Sequence, residues 1–176
     1  IAQISQAQGA TLDKVAAAKP GQIDLRAADD TGASNSDNIT SKKNFSGTIS
    51  FNNTATDGTG VVVGDTVQVV AGGQVLGSRV VTDADLAAGL VTVAFENVQD
   101  GAYSASARIV DKAGNVSELS TPLNITVDST KPTTPTLSFT NLIDTGSSEQ
   151  APVTSDKSFN IALNGAETGA VVVYEV

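Results

Sequence analysis

The chain has 176 residues, a formal net charge of −9, and neither Cys nor His. The missing residue types exclude disulfides, Cys-based metal sites and a Ser-His-Asp catalytic triad. The acidic balance disfavours binding to nucleic acid because it repels phosphates, and with 4% aromatic residues few side chains are left on which sugars or bases could stack. No apolar run approaches the roughly 18 residues of a membrane-spanning helix, so we expect no membrane span.

The predicted elements are almost all short β-strands in which apolar and polar residues alternate. Gly72-Gly73 indicates a two-residue hairpin turn, and residues 82–89 could form one helical turn. Seven strands with turn signals between them predict an all-β fold, an Ig-like β-sandwich of two sheets. In chain order the strands lie at residues 23–27, 45–51, two within 65–81, 90–97, 101–111 and 120–128.

Two of these strands allow more specific expectations. In the strand at 90–97, Val91, Val93 and Phe95 are expected to face the core, since alternate residues share one face. Tyr103 follows the turn residues Asp100-Gly101 and suits a tyrosine corner, in which the hydroxyl bonds back to the preceding loop. An ordinary core tyrosine is an equally good interpretation.

Two stretches of the sequence repeat one another without a gap. DTGASNSDNITSKKNF, residues 30–45, and DTGSSEQAPVTSDKSF, residues 144–159, share eight of sixteen residues at an offset of 114. TLDKVAAAKP and TVDSTKPTTP, which begin at residues 11 and 126, also match. A unit of about 115 residues that recurs head to tail indicates a tandem array.

The repeat divides the chain into three parts. Residues 1–12 are interpreted as the tail of a preceding repeat, 13–128 as a complete domain, and 129–176 as the start of a second domain that stops partway. We therefore expect the chain to be a piece of a longer protein.

The loop DDTGASNSDNIT, residues 29–40, concentrates carboxylate, amide and hydroxyl oxygens. If consecutive strands alternate in direction, this loop meets the end of the last strand at one end of the sandwich, and the linker and the other acidic loops meet at the opposite end. Ca²⁺ accepts about six to eight such oxygens, although solvated turns use the same residue types. The candidate ligands are Asp29, Asp30, Asp37 and Asp128 at the first end, and Asp13, Asp57, Asp111 and Asn115 at the second.

The second copy of the loop differs from the first. It begins with Asp144 but has Ala151-Pro152 where the first copy has Asp37-Asn38. If Asp37 is a ligand, the junction that follows the second copy is weaker or uses other groups. No EF-hand spacing occurs in the chain, so no single stretch defines a calcium site by itself.

The linker VDSTKPTTPTL, the loop DDTGASNSDNIT, the hairpin VVAGGQVLG and the strand GAYSASARIVDKAGNVS resemble the tandem bacterial Ig-like repeats of giant surface adhesins. These are biofilm-associated proteins that Gram-negative bacteria export by type I secretion. The resemblance covers nearly the whole chain. It implies an extender that projects a distal binding domain from the cell, with Ca²⁺ stiffening the junctions between repeats. The ligands that it implies are Asp29, Asp30, Asp111, Asn115 and Asp128.

The resemblance also implies a location at the bacterial cell surface and partners. The partners are the neighbouring repeats of the same chain and, through a distal domain, a host or abiotic surface. An alternative is a module that binds a carbohydrate or host protein; it predicts exposed aromatic residues, and only Phe139 and Tyr174 lie outside evident core positions. A third interpretation is an accessory domain of a secreted enzyme. We expect no enzymatic activity from the chain itself, because its carboxylates lie on loops rather than in a cleft.

Overall fold

The computed structural model describes residues 12–143, 145–146, 155, 157, 160–166, 169, 171 and 173. The chain forms two compact units, Ile1–Ser129 and Thr130–Val176. The predicted tail at residues 1–12 lies almost entirely outside the described residues, and the predicted domain boundaries stay a prediction.

The first unit is a sandwich of two sheets. The strands are β1 (Ile23–Leu25), β2 (Ile39–Thr40), β3 (Phe45–Ser50), β4 (Thr66–Ala71), β5 (Gln74–Val80), β6 (Leu90–Phe95), β7 (Gly101–Val110) and β8 (Leu123–Val127). One sheet has the strand order β1-β3-β6, and the other has the order β2-β8-β7-β4-β5. All seven predicted strands are present, which confirms the all-β sandwich.

Strand β2 is an element of this unit that the alternation pattern did not predict. It forms the end of the acidic loop and pairs in parallel with β8, with Ile39 opposite Thr126 and Thr40 opposite Val127. The other strand pairs among the described residues are antiparallel. Two residues are too few for a period-two pattern to be recognised. The N-terminal part of the unit therefore contributes one strand to each sheet.

The core lies between the two sheets. The predicted inner face of β6 is confirmed, since Val91, Val93 and Phe95 are at most 1% exposed. The rings of Phe45 and Phe95 pack at a centroid distance of 4.9 Å. The opposite sheet contributes alternate residues of its strands to the same core, as period-two alternation requires. They include Val67, Val69, Ala105, Ala107, Ile109, Ile125 and Val127.

Strand β5 closes one side of the sandwich. The predicted turn before it has Gly72 and Gly73 at φ of 57° and 81°, which a type I′ hairpin turn requires. A side chain at Gly77 would collide with the backbone carbonyl of Ala94 in β6. Strand β5 can therefore approach the edge of the other sheet because residue 77 has no Cβ.

The predicted helical turn is α1 (Asp83–Ala88). It begins with a capping box, in which Thr82 accepts the N–H of Asp85 and the Asp85 carboxylate accepts the N–H of Thr82 at 2.9 Å. Gly89 ends the helix in the left-handed conformation with φ of 68°. Within the described parts of the chain, no helix is long and apolar enough to cross a membrane.

Tyr103 forms a tyrosine corner. Its hydroxyl donates a hydrogen bond to the carbonyl oxygen of Gln99 at 2.8 Å. The bond reaches back to the loop that precedes β7, which is the geometry of such a corner. Of the two interpretations that the sequence left open, the structure supports this one.

The second unit contains β9 (Thr136–Thr140) and β10 (Asn160–Asn164), which pair antiparallel. Leu137 lies opposite Leu163, and Phe139 lies opposite Ile161. At the repeat offset of 114 residues, the same register joins β1 to β3. The repeat in the sequence therefore corresponds to a repeat in strand pairing.

Candidate functional site at the acidic ends of the first unit

Asp29 ties the start of the acidic loop to β3. Its carboxylate accepts hydrogen bonds from Lys42 Nζ at 2.8 Å and from the N–H and hydroxyl of Ser46 at 3.0 and 2.8 Å. Burial raises the pKa of Asp29, but the bonds from Lys42 and Ser46 outweigh it and leave the pKa below its ordinary value. Its negative charge is therefore already balanced by a lysine.

Asp30 and Asp37 bind the backbone of the loop itself. Asp30 is 6% exposed and accepts the N–H groups of Asn38 at 3.0 Å and Ile39 at 3.2 Å. Asp37 accepts those of Ser34 at 2.9 Å and Ile39 at 3.1 Å. Desolvation raises the pKa of Asp37, but the N–H groups of Ser34 and Ile39 lower it overall. These are the bonds that Asp makes in turns.

A hydroxyl clip also closes the loop. The N–H of Ser41 donates to Thr31 Oγ1 at 2.7 Å, and the N–H of Thr31 donates to the carbonyl of Ile39 at 3.0 Å. The second unit has the same clip, in which Ser155 N–H donates to Thr145 Oγ1 at 3.0 Å. The two copies of the loop thus share a closure that uses no carboxylate.

Hydrogen bonds between β2 and β8 join the acidic loop to the end of β8. The N–H groups of Thr126 and Asp128 donate to the carbonyls of Asn38 and Thr40 at 3.0 and 2.9 Å. The loop and Asp128 therefore lie at the same end of the unit, as strand alternation predicted.

The remaining candidate residues of this unit lie at the opposite end. Strand β7 begins beside the end of β8 and runs away from it, so the loop after Val110 lies at that opposite end. A cavity of about 410 Å³ there is lined by Asp13, Asp65 and Asp111, together with Lys112. The structure thus gathers linker and loop carboxylates around one space.

Asp111 is held by its own loop. Its carboxylate accepts the N–H groups of Ala113 and Asn115 at 2.8 Å each and the Asn115 side-chain amide at 2.8 Å. The Asn115 amide is the largest cause that lowers the pKa of Asp111. The same amide lies 3.3 Å from the carbonyl oxygen of Asp13, which it donates to. Asn115 therefore connects the loop to the linker.

Asp57 does not join this cavity. It accepts hydrogen bonds from the N–H of Thr59 at 3.0 Å and from the Thr59 hydroxyl. The hydroxyl of Thr59 is the largest cause that lowers the pKa of Asp57. Asp57 thus closes a local turn of its own loop.

Asp65 is a candidate that sequence reasoning did not single out as a ligand. It is 2% exposed, and its Oδ2 accepts the N–H of Val62 at 2.9 Å. Its Oδ1 is buried and has no hydrogen-bond partner among the described residues. A buried carboxylate oxygen without a partner has a substantial desolvation cost. The sequence shows only an Asp ahead of a strand, which is an ordinary turn position.

Across the residues that the structure describes, no three acidic side chains lie close enough together to hold a metal ion. Asp13, Asp65 and Asp111 share a cavity without forming such a group. Asp144 lies outside the described residues. Calcium binding by the predicted residues therefore stays a prediction.

The model of the bacterial Ig-like domain family matches residues 16–129. The match spans more than half of the chain, which therefore belongs to the bacterial Ig-like domain family. No curated protein matches the chain. Domains of this family are generally non-enzymatic and are often found in extracellular or surface proteins.

Proposed function

We propose that the chain is a structural extender of a bacterial cell-surface adhesin, and that it supports adhesion and biofilm formation by holding a distal binding domain away from the cell. The observation that carries this proposal is the recurrence of strand pairing, since β9 and β10 pair in the register of β1 and β3 at the repeat offset. A domain followed by the beginning of its own copy is the signature of an array.

In this array the complete repeat is residues 13–128, and the next repeat begins at residue 129. The division of the chain into compact units between Ser129 and Thr130 supports that boundary. Residues 1–12 are assigned to the tail of the preceding repeat on the sequence match alone.

The alternative function is a module that binds a carbohydrate or host protein. In its favour, Phe139 is 56% exposed. However, Phe139 is the counterpart of Leu25, which is 5% exposed in the core of the first unit. We therefore interpret Phe139 as a core residue of the second repeat, and the extender as the better-supported function.

Calcium is the proposed stiffening ion of the junctions. The unpartnered Oδ1 of Asp65 lies among the residues of a cavity that Asp13 and Asp111 also line. Carboxylate oxygens are the ligands that Ca²⁺ prefers, so the chemistry of this donor set fits the ion. The remaining oxygens would come from the end of a neighbouring repeat at which the counterpart of Asp128 lies, since Asp29, Asp30 and Asp37 are held by Lys42 and by the backbone of their own loop.

The proposed location is the bacterial cell surface, reached by type I secretion. Extracellular calcium modules bind the ion with dissociation constants of about 10⁻⁴–10⁻³ M. Such sites would stay largely empty in a calcium-poor cytosol and fill outside the cell. The junctions would therefore stiffen only after export.

A domain-replacement experiment tests the extender role. Residues 13–128 of the parent adhesin are replaced by an unrelated β-sandwich of equal length, and a second strain carries a deletion of the same residues. We expect the replacement to keep adhesion and biofilm formation, while the deletion of residues 13–128 reduces them. Loss of adhesion in the equal-length replacement would instead support the binding module.

A further inference from the structure

We propose that Lys112 is a tethered cation that competes with Ca²⁺ for the cavity lined by Asp13, Asp65 and Asp111. The ammonium group of Lys112 weakens calcium binding there, so that the site fills only at the calcium concentrations found outside cells. Its role rests on the proposed calcium site, whose affinity it would set.

Asp65 is the fixed acceptor of this cavity. Its N–H donates to the carbonyl of Val62 at 3.2 Å, and its own carbonyl accepts the N–H of Val81 at 2.8 Å. Its Oδ2 accepts the N–H of Val62, and its buried Oδ1 has no partner among the described residues. Because the main chain is held on both sides of the residue, the unpartnered oxygen stays in place and offers its charge to a cation that enters the cavity.

The side chain of Lys112 lies next to the residue that precedes Asp65. Gly64 has no Cβ, and a Cβ there would collide with Cε of Lys112 and lie 3.0 Å from its Nζ. The lysine stem therefore packs against the main chain of Gly64, as lysine stems pack along a surface while the ammonium group stays in water. Since Lys112 is exposed and also lines the cavity, its charge lies at the solvent side of the cavity.

Lys112 is not tied to one carboxylate. Among the described residues it makes no ion pair. The carboxylate of Asp13 accepts the N–H of Val15 at 3.0 Å, and that of Asp111 accepts the N–H of Ala113 at 2.8 Å. The ammonium group therefore balances the charge of the cavity without a direct bond, and it can move aside when a stronger cation enters.

The balance of charges favours a divalent ion over a monovalent one. The carboxylates that line the cavity outnumber its one ammonium group, so the cavity keeps a net negative charge. A monovalent ion brings no more charge than the ammonium group already supplies, whereas a divalent ion is attracted more strongly by the carboxylates. Repulsion between a divalent ion and an ammonium group about 6–10 Å away weakens binding about threefold to tenfold in water-like surroundings.

Calorimetric titration with Ca²⁺ tests this role, using the chain joined to a preceding copy of residues 13–128 and substitutions made only in the chain itself. Lys112→Met keeps the unbranched stem and removes the charge. We expect it to bind Ca²⁺ about threefold to tenfold more tightly than the wild type at about 0.1 M ionic strength. The difference should shrink at about 1 M, where the Debye length falls to about 3 Å. Lys112→Arg keeps the positive charge and should bind as the wild type does.

Lys43→Met is the matched control, because it removes the same charge at the other end of the unit, where Lys43 lies 3.8 Å from Asp100. It should leave the calcium affinity unchanged. Equal affinities of Lys112→Met and Lys43→Met would overturn the competing role of Lys112 and leave the calcium site standing. Binding by Lys112→Met but not by the wild type would support that role. Absence of binding in both would remove the calcium site and the competitor together.

Discussion

The two ends of the first unit are alike in carrying several acidic residues, and they differ in the bonding of one carboxylate. At the loop end, Asp29, Asp30 and Asp37 each accept at least two hydrogen bonds from the protein. At the cavity end, Asp111 is occupied in the same way, but Asp65 buries a carboxylate oxygen that has no partner among the described residues. The number of acidic residues in a loop therefore does not measure its need for a cation; unmet hydrogen-bonding capacity is the better guide.

The largest effect that separates the two ends is expected from Asp65→Asn. If Asp65 contributes to a calcium site, Ca²⁺ stabilises the folded unit by about 2.7 kcal/mol at a hundredfold excess over its dissociation constant. The substitution should abolish most of this gain, and in chelator it should change stability little because Asn keeps an acceptor oxygen for the N–H of Val62. The measurement is the rise in melting temperature on adding Ca²⁺ to the chain joined to a preceding copy of residues 13–128, since that copy would supply the remaining ligands.

Asp83→Asn is the matched control for this experiment. Asp83 is an exposed carboxylate in the first turn of α1, and its replacement should keep the full calcium response. A calcium response in Asp65→Asn as large as that of the control would show that the cavity end is not the calcium end.

Asp30→Ala is expected to have the next largest effect. It leaves the N–H groups of Asn38 and Ile39 with fewer acceptors, so the free energy of unfolding should fall by about 1–3 kcal/mol. Urea denaturation in calcium and in chelator should give the same loss of unfolding free energy, since the Asp30 carboxylate binds N–H groups of its own loop. A loss seen only in calcium would make the loop a metal site and remove the contrast between the ends.

A smaller loss of stability is expected when the pH is lowered. The pKa values of Asp29 and Asp111 lie below their ordinary value, because hydrogen bonds to the charged forms outweigh desolvation. A depressed pKa contributes stability that is present above the unfolded-state value, about 3.9, and is lost as the pH falls through the folded-state value. The melting temperature should therefore be steady between about pH 7 and 5 and fall below about pH 4.

The fall in melting temperature at acid pH also allows the two ends of the unit to be compared. Asp29→Asn and Asp111→Asn should each make the fall below pH 4 shallower, since each removes one carboxylate that binds a proton on unfolding. Equal slopes in both variants and the wild-type protein would mean that these bonds do not persist in solution.

Much of the fold could be predicted because the alternation of apolar and polar residues along a strand can be read from a short stretch of sequence. The inner residues of β6 and the turn at Gly72-Gly73 follow from period two and from positive φ. Strand β2 could not be predicted, because its two residues pair with β8, which is more than eighty positions away. Its formation depends on tertiary pairing that no local pattern encodes.

The candidate site was predicted only in part for the same reason. Asp13, Asp57, Asp111 and Asn115 were expected at one end. The structure brings Asp13, Asp111 and Asn115 together there, whereas Asp57 closes a turn of its own loop. The burial of Asp65 depends on how the linker and two loops pack around it, which residue types alone do not reveal. The hydrogen bonds that occupy Asp30 and Asp37 likewise depend on the three-dimensional closure of the loop.

The calcium-stiffened extender is tested most directly by thermal unfolding of the chain joined to a preceding copy of residues 13–128, in Ca²⁺ and in excess chelator, with small-angle scattering on the same samples. We expect chelation to lower the melting temperature clearly and to give the scattering profile of a less rigid chain. An unchanged melting temperature together with an unchanged profile would contradict it, and the aspartates of both ends would then act only as turn residues.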